Sequence, residues 1–265
     1  MIGDAIHTVY QFLFALTLGA ARIYPCLILV PVFSFNILKG MVRTGVVLAL
    51  ALIPACGLQS QLAAAMPDWP QLIGLLLKEI VIGILLGLLL GMPFWLYQSV
   101  GALFDNQRGA LIGGQLNPAL GMDVTPLGLL LQQTLILLLI LGIGLSAITQ
   151  IIWDSYRIWP VMQWLPLPHE EGFQQYLSLL SDTFTHIIIY DGQLVAMLIM
   201  LDFRIAVLSL YSPQLQVFVL SVPAKCLAGL AFFVFYIPLL NELGSERLLQ
   251  LRDLSKLLPL IKGGQ

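Results

Sequence analysis

The chain is organised by long, unbroken apolar runs parted by polar or glycine-rich joints. Six runs, at residues 9–35, 44–62, 72–97, 127–153, 187–210 and 218–240, approach or exceed a membrane span. A helix needs roughly 20 apolar residues to cross ~30 Å of hydrocarbon. Within each run the hydrophobic residues are continuous instead of alternating with polar ones, which fits helices and not the strands of a lipid-facing barrel. Helices also satisfy their own backbone groups where no water is present to do so. The pattern predicts an all-α, polytopic membrane fold of packed hairpins with about six hydrophobic helices. It divides the chain into a helical membrane domain over residues 1–240 and an amphipathic basic tail over 241–265. In that tail, leucines alternate with Arg247, Arg252, Lys256 and Lys262. Such a segment either lies at an interface or on a partner, or is simply the solvated end of a helix.

The joints differ in character. Residues 35–43 are short and basic, 67–71 read as a turn, 99–125 are long and glycine-rich, and 212–216 form a tight hairpin turn. Residues 154–186 read as a long linker carrying Glu170, Glu171 and Asp182. The first seven residues include Asp4 and no Lys or Arg, so the positive region of a signal peptide is lacking and the first apolar run is expected to be retained as a span. Lys and Arg divide as about three on one side and five on the other however the chain is threaded, so orientation is weakly specified; the dense basic cluster of the tail gives the expectation of a cytoplasmic C-terminus.

Composition agrees with a bilayer as solvent. Of 265 residues, 59% are hydrophobic and 10% charged, and the mean hydropathy is +0.93, too little polar surface to coat a soluble globule. A net charge of -2 and the lack of any Lys/Arg cluster interleaved with aromatics set nucleic acid aside as a partner. Cys26, Cys56 and Cys226 are odd in number and each sits in an apolar run, so they read as small buried hydrophobes. His7, His169 and His186 lack metal-ligand spacing, and neither a phosphate-binding glycine loop nor a Ser-x-x-Lys dyad occurs. The sequence therefore predicts no catalytic residue, no metal and no cofactor.

Some residues inside the runs ask for a role. Gly83, Gly87 and Gly91 are four apart, a stripe on one helix face that lets another backbone approach closely. Charges in lipid are costly, so Arg22, Lys78, Glu79, Asp191, Asp202, Arg204 and Lys225 are expected to face protein or water. Lys78 and Glu79 lie near a run's end, where they can snorkel. Arg22, Glu79, Asp202 and Lys225 are assigned to packing or assembly. If the last two spans turn near Gln214, Asp202 and Lys225 lie at similar depth and form a register-fixing ion pair, or each pairs with a partner subunit. A rival reading makes Asp191, Asp202 and Glu79 a proton path in a secondary transporter of small molecules, but no internal repeat accompanies them.

The most unusual stretch holds Asp105, Asn106, Gln107, Arg108, Gly109, Gly113, Gly114, Asn117, Pro118, Gly121 and Asp123. It is too apolar for an ordinary wet loop and too broken for a span. Irregular backbone among membrane helices is tolerated where it is buried in protein or lines a cavity, so it reads either as a re-entrant, pore-occluding loop or as a compact surface loop.

Four stretches share an order and spacing: Leu18-Gly19-Ala20-Ala21-Arg22 with Pro25 and Pro31, then Glu79 with the Gly83/Gly87 helix and Pro93-Phe94-Trp95. They continue with Asp105-Asn106-Gln107-Arg108-Gly109-Ala110, and with Ser212-Pro213-Gln214 leading to Phe218, Ser221 and Lys225. In these stretches the chain resembles the SctT/FliR family of type III secretion export-apparatus proteins. Asp-Asn-Gln-Arg-Gly-Ala looks like the injectisome branch (SpaR/EscT-like), although Asn117 stands where the family pattern has an acidic residue before Pro118. The resemblance implies a non-enzymatic subunit of the export gate in the bacterial inner membrane, associated with virulence-type secretion. It implies assembly with SctR and SctS subunits, contacts to SctU, to SctV and to inner rod or needle subunits, and passage of exported unfolded proteins beside membrane lipid. It also implies that residues 106–123 plug the pore and that the assembled gate is displaced toward the periplasm.

Overall fold

The computed structural model describes residues 2–33, 40–64, 67–108, 125–163, 170–211 and 217–261. Every regular element among them is helical. In chain order these are α1 (Ile2–Leu29), a 3-10 turn (Pro31–Phe33), α2 (Gly40–Ala64), α3 (Trp69–Gln107), α4 (Pro126–Gly142), α5 (Leu145–Ile158), α6 (Glu170–Tyr211) and α7 (Val217–Ile261). Five of the helices are long and apolar enough to cross a membrane, or six if α4 and α5 count as one broken span. The chain is a multi-pass helical membrane protein.

The expected boundaries shift in four places. Helix α3 does not end near residue 97 but runs 39 residues to Gln107, because Val100, Phe104 and Asp105 continue its buried face. Asp105, Asn106 and Gln107, expected in a loop, are therefore its last helical residues. The single span expected at 127–153 is two helices parted at Ile143 and Gly144, where Gly144 has φ 81, a left-handed conformation suited to glycine. Most of the linker expected over 154–186 is helical as well, since α6 begins at Glu170 and extends for 42 residues. The expected boundary at 240 and 241 falls inside the 45 residues of α7. Cys56 is a further correction: it is exposed on α2 and Cys226 is only half-buried, while Cys26 is buried. An outward-facing apolar run explains this, because a lipid-facing side chain is hydrophobic without being covered by protein.

The chain forms two compact units. The first comprises Met1–Met92, Ile143–Leu179 and Leu249–Gln265. Its core joins Ala15 and Leu18 of α1, Ala55, Leu58 and Leu62 of α2, Leu75 of α3, and Val161. Helix α5 presents Ile148, Ile151, Ile152 and Ser155 inward at one-turn spacing, leaving Gln150, Asp154 and Arg157 on its other faces. The second unit comprises Pro93–Gly142 and Leu180–Leu248. There Leu127, Leu131, Leu135 and Leu139 give α4 a buried stripe, and Phe104 of α3 packs on Phe233 of α7 with ring centroids 5.8 Å apart.

Candidate functional site

In the first unit, the glycine stripe of α3 is a contact with α1. A Cβ on Gly83 would lie 2.2 Å from the Arg22 carbonyl oxygen and 2.7 Å from Pro25 Cγ, and one on Gly87 would lie 3.0 Å from Cys26 Cα. Gly91 is also buried. The two backbones approach this closely because no side chain stands between them.

That approach brings together a buried charge cluster that sequence separation had hidden. Arg22 and Glu79 are both fully buried, with Arg22 Nε donating to Glu79 Oε2 at 2.6 Å. The rest of the guanidinium is occupied too: one terminal nitrogen donates to Ser155 Oγ at 3.1 Å and the other to the Trp159 carbonyl at 2.8 Å. Its carbon also lies 4.1 Å from the centre of the Tyr156 ring, whose hydroxyl donates to the Gly19 carbonyl at 2.6 Å. Lys78 does not snorkel. Its ammonium sits 2.9 Å from Glu79 Oε1 and donates to the carbonyls of Pro160, Val161 and Gln163 at 2.7 to 3.1 Å. Two cations thus bind one carboxylate and the carbonyls that follow the C-terminus of α5, the negative end of its dipole. Beside them, between α2 and α5, lies a groove of about 740 Å³ lined by residues that include Ile53, Gly57, Gln150 and Arg157.

In the second unit the end of α3 meets the start of α4. Gly101 and Gly128 abut, a Cβ on the former lying 2.6 Å from the other's Cα. The fully buried Asp105 takes Arg108 on Oδ1, at 2.7 Å from Nε, and accepts the Leu127 N–H on Oδ2 at 2.8 Å. Gln132 donates to Gln98 Oε1 at 2.9 Å. The Arg108 carbonyl receives the Cys226 thiol at 3.6 Å. Tyr97 donates its hydroxyl to the Leu240 carbonyl. Of the other expected site residues, Asn106 and Gln107 close α3, whereas Gly109, Gly113, Gly114, Asn117, Pro118, Gly121 and Asp123 lie outside the described residues, as do the hairpin turn at 212–216 and Lys262.

Asp202 and Lys225 lie 2.6 Å apart, on α6 and α7. Both lie on candidate spans and are partly exposed, at 45% and 19% of their side chains, so the rest of the pair is not covered by this chain. If the pair matters to assembly, Lys225→Ala should lower the yield of assembled complex and adding Asp202→Ala should restore part of it. Co-purification of partner subunits with each variant measures this, and a double variant no better than Lys225→Ala alone argues against direct coupling. Asp191 is buried, and its Oδ1 has no hydrogen-bond partner among the described residues.

Sequence reasoning did not find Ser155, the carbonyls that hold Lys78, or the Gly101–Gly128 contact. Two local signals were available: the i,i+3 spacing of Asp105 and Arg108, and Thr125-Pro126, a helix cap followed by a first-turn proline.

Residues 13–251 match the family described as bacterial export proteins, family 1. The chain belongs to this family. Yop proteins translocation protein T of Yersinia pestis is 33% identical over 266 residues, spanning 99% of this chain and 100% of that protein. Surface presentation of antigens protein SpaR of Salmonella typhimurium (strain LT2) is 24% identical over 88% of this chain and 87% of its own length. Flagellar biosynthetic protein FliR of Escherichia coli (strain K12) is 24% identical over 71% and 72%. This bacterial export family 1 protein is thus a type III secretion export-apparatus protein of the SctT/FliR family, on its injectisome side. As such it is a component that assembles with other export-apparatus subunits.

Proposed function

We propose that this protein is a non-enzymatic part of the inner-membrane conduit of a type III export gate, and that residues 106–123 plug its pore. Its proposed partners are SctR and SctS within the gate, SctU and SctV around it, and rod or needle subunits and unfolded substrates that pass through. The observation carrying the plug reading is at the footing of the segment. Arg108 and Leu127 both bind the one buried carboxylate of Asp105, so the chain leaves α3 and returns to α4 at a single protein-enclosed point. A glycine-rich, weakly charged excursion from such a point suits a protein-walled channel better than open water.

The disposition of charge supports a conduit over a proton-coupled transporter. Glu79 faces two cations and Asp202 is paired with Lys225, so two of the three carboxylates of the rival path already stand against positive charge. The closed state must be reversible. A plug held by about a few kcal/mol suits this, because whatever opens it must supply a comparable difference in affinity between the two states.

Deleting residues 109–121 should raise small-ion leak across the inner membrane while the gate still co-purifies with its partner subunits. Unchanged leak in an assembled gate sinks the plug. Proton-driven uptake of a small molecule by the purified protein alone would favour the transporter.

A further inference from the structure

We infer that Asp105 is a positioning residue, a clasp that holds both ends of the proposed plug, and not part of the occluding segment itself; this rests on the plug reading above.

The first turn of α4 has a cap besides this carboxylate. Thr125 already caps the helix: its hydroxyl accepts the Gly128 N–H at 3.3 Å and its carbonyl accepts the Leu129 N–H at 3.0 Å. Pro126 follows as a first-turn residue without a donor. Asp105 adds a second acceptor, reaching across 22 residues of sequence to the Leu127 N–H at 2.8 Å. Its other oxygen is held by Arg108, at 2.7 Å from Nε and 2.5 Å from a terminal nitrogen.

Such a carboxylate is expensive to bury and is tolerated because every face of it meets a donor: a guanidinium on one side and the positive end of a helix on the other. Arg108 is fixed in turn. Its N–H donates to the Phe104 carbonyl at 3.1 Å, its guanidinium lies 5.7 Å from the Phe104 ring centre, and its carbonyl receives the Cys226 thiol. The stem of the segment is therefore tied to α3, α4 and α7 at one place.

The surrounding helices also touch through contacts that do not use the clasp. The Gly101–Gly128 approach, the Phe104–Phe233 contact and the Gln98–Gln132 hydrogen bond lie on the same elements and involve other atoms. Loss of the clasp should loosen the footing of the segment and leave the helices packed. A segment with a loose footing samples more positions, and a plug that does so spends less time seated.

The two halves of the clasp are separable. Asp105→Asn keeps an oxygen for the Leu127 N–H but loses the charge pair, as does Arg108→Ala from the other side. Asp105→Ala loses both. In cells producing the whole apparatus, a potential-sensitive dye would report leak, with subunit co-purification as the assembly control. Asp105→Ala should leak at least half as much as the deletion of residues 109–121, and it should add nothing in the deletion background. Asp105→Asn and Arg108→Ala should agree with each other, at a few-fold above wild type and below Asp105→Ala.

If the deletion leaks while Arg108→Ala and Asp105→Ala assemble and stay as tight as wild type, the clasp is overturned and the plug survives. Should Asp105→Ala not assemble, Asp105→Asn decides, since Asp105 lies outside the proposed plug: leak above wild type supports the clasp, and parity overturns it. If the assembled deletion variant itself does not leak, the plug reading falls and takes the clasp with it.

Discussion

Glu79→Gln is expected to collapse the first unit. The substitution changes hardly any volume but removes the one negative charge that serves both Arg22 and Lys78, each of them buried. The new amide can still accept from Arg22, but two cations then share an apolar interior with no counter-charge. Breaking a buried pair by removing one partner costs about 3–5 kcal/mol, and here one removal strands two ions. Removing the Ser155 hydroxyl should be milder at about 1.5–3 kcal/mol, since a single hydrogen bond to a guanidinium that keeps its other partners is lost. Arg22→Lys should fall between them, because an ammonium cannot reach Glu79, Ser155 and the Trp159 carbonyl together. Thermal melting of the detergent-solubilised complex and the amount of protein in the membrane should both rank the variants in this order. A Glu79→Gln variant that melts with wild type would refute the view that this cluster holds α1, α3 and the turn after α5 together.

The second large effect is expected at Gly83. A Cβ there would stand 2.2 Å from a backbone oxygen of α1 and 2.7 Å from the ring of Pro25, neither of which can swing aside. Gly83→Ala should therefore push α1 from α3 and disturb the Arg22–Glu79 bond one turn away, costing about 1–3 kcal/mol or more as overpacking does. Gly87→Ala, with contacts at 3.0 to 3.1 Å, should be tolerated with a smaller loss. Gly57→Ala supplies the control: nothing lies within 4 Å of its Cβ position, so removing a glycine from the interior of α2 should be neutral or stabilising by about 0.5–1 kcal/mol. Melting temperatures of the three variants test the series. Equal shifts would show that crowding against α1 does not decide the outcome.

The helical membrane class was legible because lipid leaves a chain few options, and long apolar runs state the outcome without help from distant residues. Local cues failed where a distant contact decides. The stretch Ser99-Val100-Gly101-Ala102 reads as the start of a loop, yet Gly101 is where α3 meets Gly128 of α4, and the helix continues past it. Counting apolar residues cannot sense a left-handed backbone, so the break at Gly144 was missed although two glycines flank Ile143. Asp202 and Lys225 could be paired in advance because a hairpin makes their depths comparable. Arg22 and Glu79 could not, being 57 positions apart with no simple turn between them. The resemblance did cite both residues, in separate stretches, but it carried no geometry. Asp105 stands out in the sequence but reads as loop, because its partner Leu127 lies 22 positions further on.

The lengths of α3, α6 and α7, at 39, 42 and 45 residues, have a consequence for how this protein is made. Each holds about twice the roughly 20 residues that a membrane span needs. Phe203, Leu210 and Tyr211 on α6 and Phe235 on α7 are all at least 66% exposed. A lipid annulus can shelter only part of such flanks. Synthesised without its assembly partners, the polypeptide is expected to keep such flanks uncovered, and its level in the membrane should fall when those subunits are not supplied.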